Sequence, residues 1–231
     1  MRLDRMLGNL PQGSRQLARH WLASGRIAVD GVRIADGCYP VTPFSRVTLD
    51  DQPIQTRQPR YFMLHKPGGY LSATSDPDHP TVMELLDDAD SGQLHIAGRL
   101  DRASTGLLLL TDDGRWSRRL TEPERRVAKV YRVDTEDPIH PDTARRFAEG
   151  IYFDYEGITT RPVELQQLGP RQVRLTLFEG RYHQIKRMFG RFRNRVLSLH
   201  REQIGSLALD PDLAPGEYRP LTPAEVSALG D

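Results

Sequence analysis

GRLDRASTGLLLLTDDG, residues Gly98 to Gly114, joins a turn, a carboxylate and a wholly apolar run. Leu107 to Thr111 is too short for a helix that buries itself. Asp112-Asp113-Gly114 stops it with turn residues, so the length and flanks predict a buried strand. Asp101 stands just ahead of that strand, between Arg99 and Arg102. A carboxylate held by the backbone entering a core strand is positioned as a nucleophile must be. Its unperturbed pKa of about 3.9 leaves it ionised at neutral pH. The competing reading is a turn aspartate that caps its own backbone or pairs with Arg99 or Arg102.

Outward from this stretch, the pattern changes type repeatedly. On the C-terminal side, AKVYRVDT alternates, which puts Lys129, Tyr131 and Val133 on one strand face. PDTARRFAEG reads as a helix closed by Gly150, and RPVELQQL and VRLTLFEG as strands joined near Gly169-Pro170. Ile185, Met188, Phe189 and Phe192 form a helical stripe, VLSLH is a further strand, and Thr222 and Glu225 frame a capping box around Pro223. On the N-terminal side, LHIAGRL is a strand turning at Gly98. HPTVMELL (79–86) is a short helix with Pro80 near its start, and YFMLHKP is a strand stopped by Pro67-Gly68-Gly69. Strands outnumber helices and do not alternate with them, which predicts an α+β fold with a mixed, mostly antiparallel sheet.

The first residues read as a separate small module. Leu3, Met6, Leu7 and Leu10 have helical spacing, Ser14 caps a second helix through Trp21 and Leu22, and Gly25 ends it. RIAVDGVRI is a hairpin around Asp30-Gly31. QTRQPR, from Gln55, reads as a connection. The expected organisation is an α–α–β domain over 1–57, a linker at 58–60 and a second domain over 61–231. Arg15 and Arg19 lie four apart on one helix face, with Arg26 at the helix exit.

Composition narrows the chemistry. A net charge of +1 hides segregation: 180–201 carries seven basic residues and no acid, 115–132 is +5, and 1–58 is +3. Such clustering of arginine fits a polyanion, above all nucleic acid. Only three of the 32 basic residues are lysines: Lys66, Lys129 and Lys186. One cysteine, Cys38, excludes a disulfide framework, and its expected place is the core. The histidines lack metal-ligand spacing, and no phosphate-binding loop or dinucleotide fingerprint is present. There is no apolar run of about 20 residues and no signal-peptide core, so the cytoplasm is the expected compartment. No apolar stripe is left over once the core is filled, which predicts a monomer. What remains is carboxylate chemistry without metal or cofactor.

GRLDRASTGLLLLTDDG resembles the central motif of the pseudouridine synthases, in the branch that modifies ribosomal RNA. AKVYRV resembles that family's Lys-x-Tyr strand, FEGRYHQIKRMF its third motif, and RYFMLHKPGGYLSAT its entry strand. The first 57 residues resemble the RNA-binding domain named after small-subunit ribosomal protein S-four. PRYFMLHKPGGYLSATSDPDHPTV and DPDLAPGEYRPLT resemble the small-subunit members most. The resemblance implies an isomerase converting one uridine of 16S ribosomal RNA, uridine 516, to pseudouridine. It implies Asp101 as nucleophile, Tyr131 stacked on the target uracil, and Lys186 paired with the carboxylate where arginine is commoner. Arg99 would hold RNA after base flipping, and Arg15, Arg19, Arg26 and Arg187 would contact RNA. The partner would be 16S RNA or the assembling small subunit. A uridine of 23S RNA, or RNA binding without catalysis, remains open at this point.

Overall fold

The computed structural model describes residues 1–56, 58–87 and 93–230. The chain divides into two compact units, Met1–Pro59 and Arg60–Asp231.

In the first unit, α1 (Leu3–Gly8) buries Leu3, Met6 and Leu7; Leu10 falls beyond its end, in the turn leading to α2. Helix α2 (Arg15–Ala23) is capped by Ser14, whose Oγ accepts the Leu17 N–H at 3.1 Å. Such a cap is worth about 1 kcal/mol. Strands β1 (Ile27–Val29) and β2 (Val32–Arg33) form the expected hairpin; Asp30 and Gly31 both have positive φ, 51° and 85°, as a two-residue turn of this hand requires.

The α–α–β reading is incomplete. A second hairpin, β3 (Val47–Leu49) and β4 (Gln52–Gln55), completes a four-stranded sheet in the order β2-β1-β3-β4. Its turn uses Asp50 and Asp51, at φ 50° and 63°, rather than glycine, and its second strand is polar with a proline. The usual hairpin and alternation signals are therefore missing. Gln55 belongs to this strand, not to a linker: its amide donates to the carbonyls of Thr42 and Ser45, each at 2.8 Å. Arg57, at the boundary drawn from sequence, lies outside the described residues. Cys38 is exposed rather than buried, in a polar turn where its N–H bonds to Asp36 Oδ1.

The second unit is built on a nine-stranded sheet. Its strands are β5 (Tyr61–Lys66), β6 (His95–Ile96), β7 (Thr105–Thr111), β8 (Lys129–Thr135), β11 (Glu164–Gly169), β12 (Gln172–Leu177), β13 (Val196–Ile204), β14 (Leu207–Ala208) and β15 (Tyr218–Pro220). The order is β11-β12-β8-β13-β7-β5-β15, with β14 on β13 and β6 on β7. Every described pairing in it is antiparallel except β13 with β7. Strands β9 (Tyr152–Phe153) and β10 (Ile158–Thr159) form a separate ribbon.

The four leucines of β7 explain why this strand is wholly apolar. Leu108 and Leu110 pack on one face with Phe147 of α4 (Thr143–Glu149) and Phe189 of α5 (Gln184–Gly190). Leu107 and Leu109 pack on the other with Trp116 and Leu120 of α3 (Gly114–Thr121) and Leu229 of α6 (Pro223–Gly230). Side chains alternate between faces, and a strand covered on both sides loses its polar half. HPTVMELL contains only a 3-10 helix, Val82–Leu85. Thr81 and Glu84 form its capping box, so Pro80 precedes the cap instead of starting the helix.

Candidate active site

The segment from Gly98 to Ser104 leads into β7 and carries Asp101 four residues ahead of the strand. It has no hydrogen-bonded ladder of its own, so its shape comes from neighbours. Gly98 turns it with φ +93°. Ser72 Oγ accepts the Leu100 N–H at 3.0 Å and donates to the Leu100 carbonyl at 2.8 Å. The Gly69 N–H reaches the Arg102 carbonyl at 2.8 Å, and Arg102 Nε returns to the Gly69 carbonyl at 3.0 Å. Pro67-Gly68-Gly69 is thus a turn that grips the loop. The Ser104 N–H closes it on the Asp101 carbonyl at 3.0 Å.

Two buried cations complete the support. Lys66 is fully buried, and its Nζ donates to the carbonyls of Pro67, Arg102 and Ser104 at 2.9, 3.1 and 2.8 Å. Burial pulls its pKa down to about 8, while the charge of Asp101 opposes the shift. Arg201 of β13 is also buried; its Nε donates to the Leu107 carbonyl and one terminal nitrogen to the Gly98 carbonyl, both at 2.8 Å. The other terminal nitrogen lies 3.4 Å from the Arg99 carbonyl. Gly106 is where β7 meets Arg201: a Cβ there would come within 2.3 Å of the Arg201 carbonyl oxygen, and φ is +104°. Only glycine permits that approach.

On this frame Asp101 is partly exposed. Its Oδ2 receives Lys186 Nζ at 3.1 Å and faces His183 Nε2 at 3.4 Å. Among the described residues Oδ1 has no partner, so one carboxylate oxygen is held and the other is open. The carboxylate pairs with neither Arg99 nor Arg102, against the simple turn reading. Lys186 lies in the first turn of α5, and the FEGRYHQIK stretch delivers it there. Glu179 is buried and accepts from Gln184 Nε2 and the Arg161 N–H, both at 2.9 Å; Gln184 in turn accepts the Arg181 N–H at 3.0 Å. This clamp fixes the loop ahead of the helix.

The other residues singled out from sequence fall in different places. Tyr131 is buried in β8, in register with Arg201, whose guanidinium lies 6.0 Å from its ring centroid. Its link to the Asp101 loop runs through that arginine, not through a bond to the carboxylate. Arg99 is exposed and has no ion pair among the described residues. Arg187, one helix step from Lys186, turns away. It grips Glu156 at 2.7 and 2.5 Å and lies 3.6 Å over the Phe153 ring. Arg26 is held by Asp50, while Arg15 and Arg19 are exposed without ion pairs among the described residues. Sequence reasoning gave no chemistry to His183 and overlooked Ser72, Arg201 and the Glu179–Gln184 clamp. The scarcity of lysine was the one signal that marked Lys66. Among the described residues no cluster of three or more His, Cys, Asp or Glu could hold a metal, and no helix is long and apolar enough to cross a membrane.

The sheet thus carries one aspartate on a braced loop, met by a lysine from the facing helix. The RNA pseudouridylate synthase family model matches residues 60–190, and the chain belongs to that family. It is 53% identical over 230 residues to the ribosomal small subunit pseudouridine synthase A of Pseudomonas aeruginosa, covering 99% of this chain and 100% of the relative. It is 47% identical to the protein of the same name from Escherichia coli strain K12, with the same coverage. A crystal structure described as a pseudouridylate synthase superposes with a TM-score of 0.73 at 38% identity, covering 99% of both chains.

Proposed function

We propose that this isomerase acts on 16S ribosomal RNA, free or in an assembling small subunit, and converts uridine 516 to pseudouridine. The reaction breaks the bond between N1 and C1′, turns the uracil, and joins C5 to C1′. The C5 proton leaves and N1 gains one, so no redox partner is needed. The observation that carries the reading is the state of Asp101. One oxygen is committed to Lys186 and the other has no partner among the described residues, on a loop braced by its neighbours. An ionised carboxylate so placed serves as a nucleophile. Lys186 holds it aimed, Tyr131 offers an aromatic face to the extracted uracil, and Arg99 holds the strand that the base has left. Extraction costs a few kcal/mol, which stacking offsets in part.

The first unit acts as the S-four-like RNA-binding domain. Arg15 and Arg19 supply its phosphate contacts, since neither guanidinium has an ion pair among the described residues. Arg26 and Arg187 already hold Asp50 and Glu156, and would meet RNA only by sharing. The enzyme works as a cytoplasmic monomer.

Carbodiimide-stop mapping of ribosomal RNA tests this directly. A strain lacking the gene should lose one 16S stop, regain it with the wild-type gene, and stay without it with Asp101→Asn. A lost 23S stop instead would move the target. An unchanged pattern in both RNAs would refute the assignment.

A further inference from the structure

Tyr182 is the feature that neither the fold nor the chemistry above requires. The residue is 76% exposed, although its chain neighbour His183 faces Asp101. Its ring lies face to face on His183, with centroids 3.9 Å apart and planes 21° from parallel. His183 Nε2 in turn stands 3.4 Å from Asp101 Oδ2. Carboxylate, imidazole and phenol thus form a short column leading from the reacting group to solvent.

Consecutive side chains ordinarily diverge. Here His183 adopts a left-handed backbone, φ +48°, uncommon for a residue with a Cβ. The column is also rigidly based, because Glu179 and Gln184 clamp the loop from both ends. Among the described residues, no hydrophobic cluster of the second unit includes Tyr182. A large aromatic on a fixed loop, stacked on one face and open on the other, is what a flat ligand needs.

We propose that the outer face of Tyr182 is a stacking platform for an unpaired RNA base beside the uridine engaged at Asp101. This rests on the RNA reading above. Stacking tolerates any base, because every base has a π-face. The platform would therefore hold the strand open next to the extracted uridine rather than read its sequence. It should act on binding and leave the chemical step alone.

The test is tritium release from 16S transcript labelled at uracil C5, used both naked and bound by small-subunit proteins. Rearrangement replaces the C5 hydrogen, so release counts turnover. Tyr182→Ala should raise KM about tenfold with kcat within about twofold, as expected for one lost stacked base. Tyr182→Phe should match the wild type. Tyr182→Leu should behave as the alanine variant, since leucine still covers the imidazole but cannot stack a base. An unchanged KM in Tyr182→Ala would overturn the platform, and so would recovery in Tyr182→Leu, which would mean that the ring merely shields His183. A fall in kcat at constant KM would also overturn it, by placing the effect on Asp101. No release by the wild type from either substrate would refute the 16S reading, and with it the platform for a 16S base.

Discussion

Lys66 and Lys129 each bring a compact ammonium to backbone carbonyls that a guanidinium fork would fit poorly, and Lys186 brings one to a carboxylate. Lys66 meets three carbonyls, Lys129 meets those of Leu120 and Val127 at 3.2 and 3.0 Å, and Lys186 meets Asp101. Burial lowers both Lys66 and Lys129 from 10.5 to about 8. The unfolded chain keeps these protons up to about 10.5, so between the two values it binds more protons than the folded chain does. Stability must then rise with pH across that window. Thermal melts should show Tm climbing by a few degrees from pH 8 to 10, and Lys66→Met with Lys129→Met should flatten the climb. Above pH 10 the trend should reverse. Burial and the bond to Asp113 hold the proton on Tyr61, while unfolded tyrosine ionises. At Lys186, loss of charge should lower kcat about a hundredfold in Lys186→Met, whereas Lys186→Arg should keep most activity, since either cation can hold one carboxylate oxygen. Single-turnover tritium release separates these two.

Strands β7 and β13 are where an element-level requirement is sharpest. They run parallel, and their backbones pass so closely at Gly106 and Arg201 that a methyl group cannot fit. Gly106→Ala should cost at least about 3 kcal/mol in chemical denaturation, because both φ and space oppose it. A loss below 1 kcal/mol would show that the strands can part. The apolar half of this pair was legible in the sequence: a five-residue run with turn residues behind it could be little else. The other half was not. VLSLH announced a strand, but β13 continues through Arg201, Glu202 and Gln203, whose polar side chains break the pattern. Their register is imposed by β8, not by local preference. The β3–β4 hairpin escaped for the same kind of reason, its turn being made by two aspartates. Asp101 and Lys186 were readable as a pair only through the family motifs; no spacing rule links residues 85 positions apart. His183 stayed hidden because its meeting with Asp101 exists only once α5 is docked.

At the scale of the molecule, charge is divided between a small basic unit and a larger one. If Arg15 and Arg19 contact phosphate, Arg15→Glu with Arg19→Glu should weaken RNA binding at least tenfold. The slope of log affinity against log salt should flatten by about two, one for each lost contact. The kcat at saturating RNA should stay within twofold, since neither residue belongs to the unit that holds Asp101. Filter binding at several salt concentrations measures the first two quantities. An unchanged slope would remove both arginines from the interface. The division of the chain was visible in the polar stretch ahead of Tyr61, but its position was not sharp, because Gln55 is polar and yet belongs to a strand.

Lys66, Arg201 and Ser72 hold the Asp101 loop from beneath, through backbone atoms alone and before any RNA arrives. A catalytic loop set in advance leaves little for the protein to rearrange on encounter, so the work of bringing the two together falls on the RNA. If, as proposed, the substrate is the RNA of an assembling small subunit, the moment of modification would be timed by the substrate's own folding. While the strand is still open the uridine could be drawn out. Once helices and proteins had closed over it, the same enzyme, unchanged, would arrive too late.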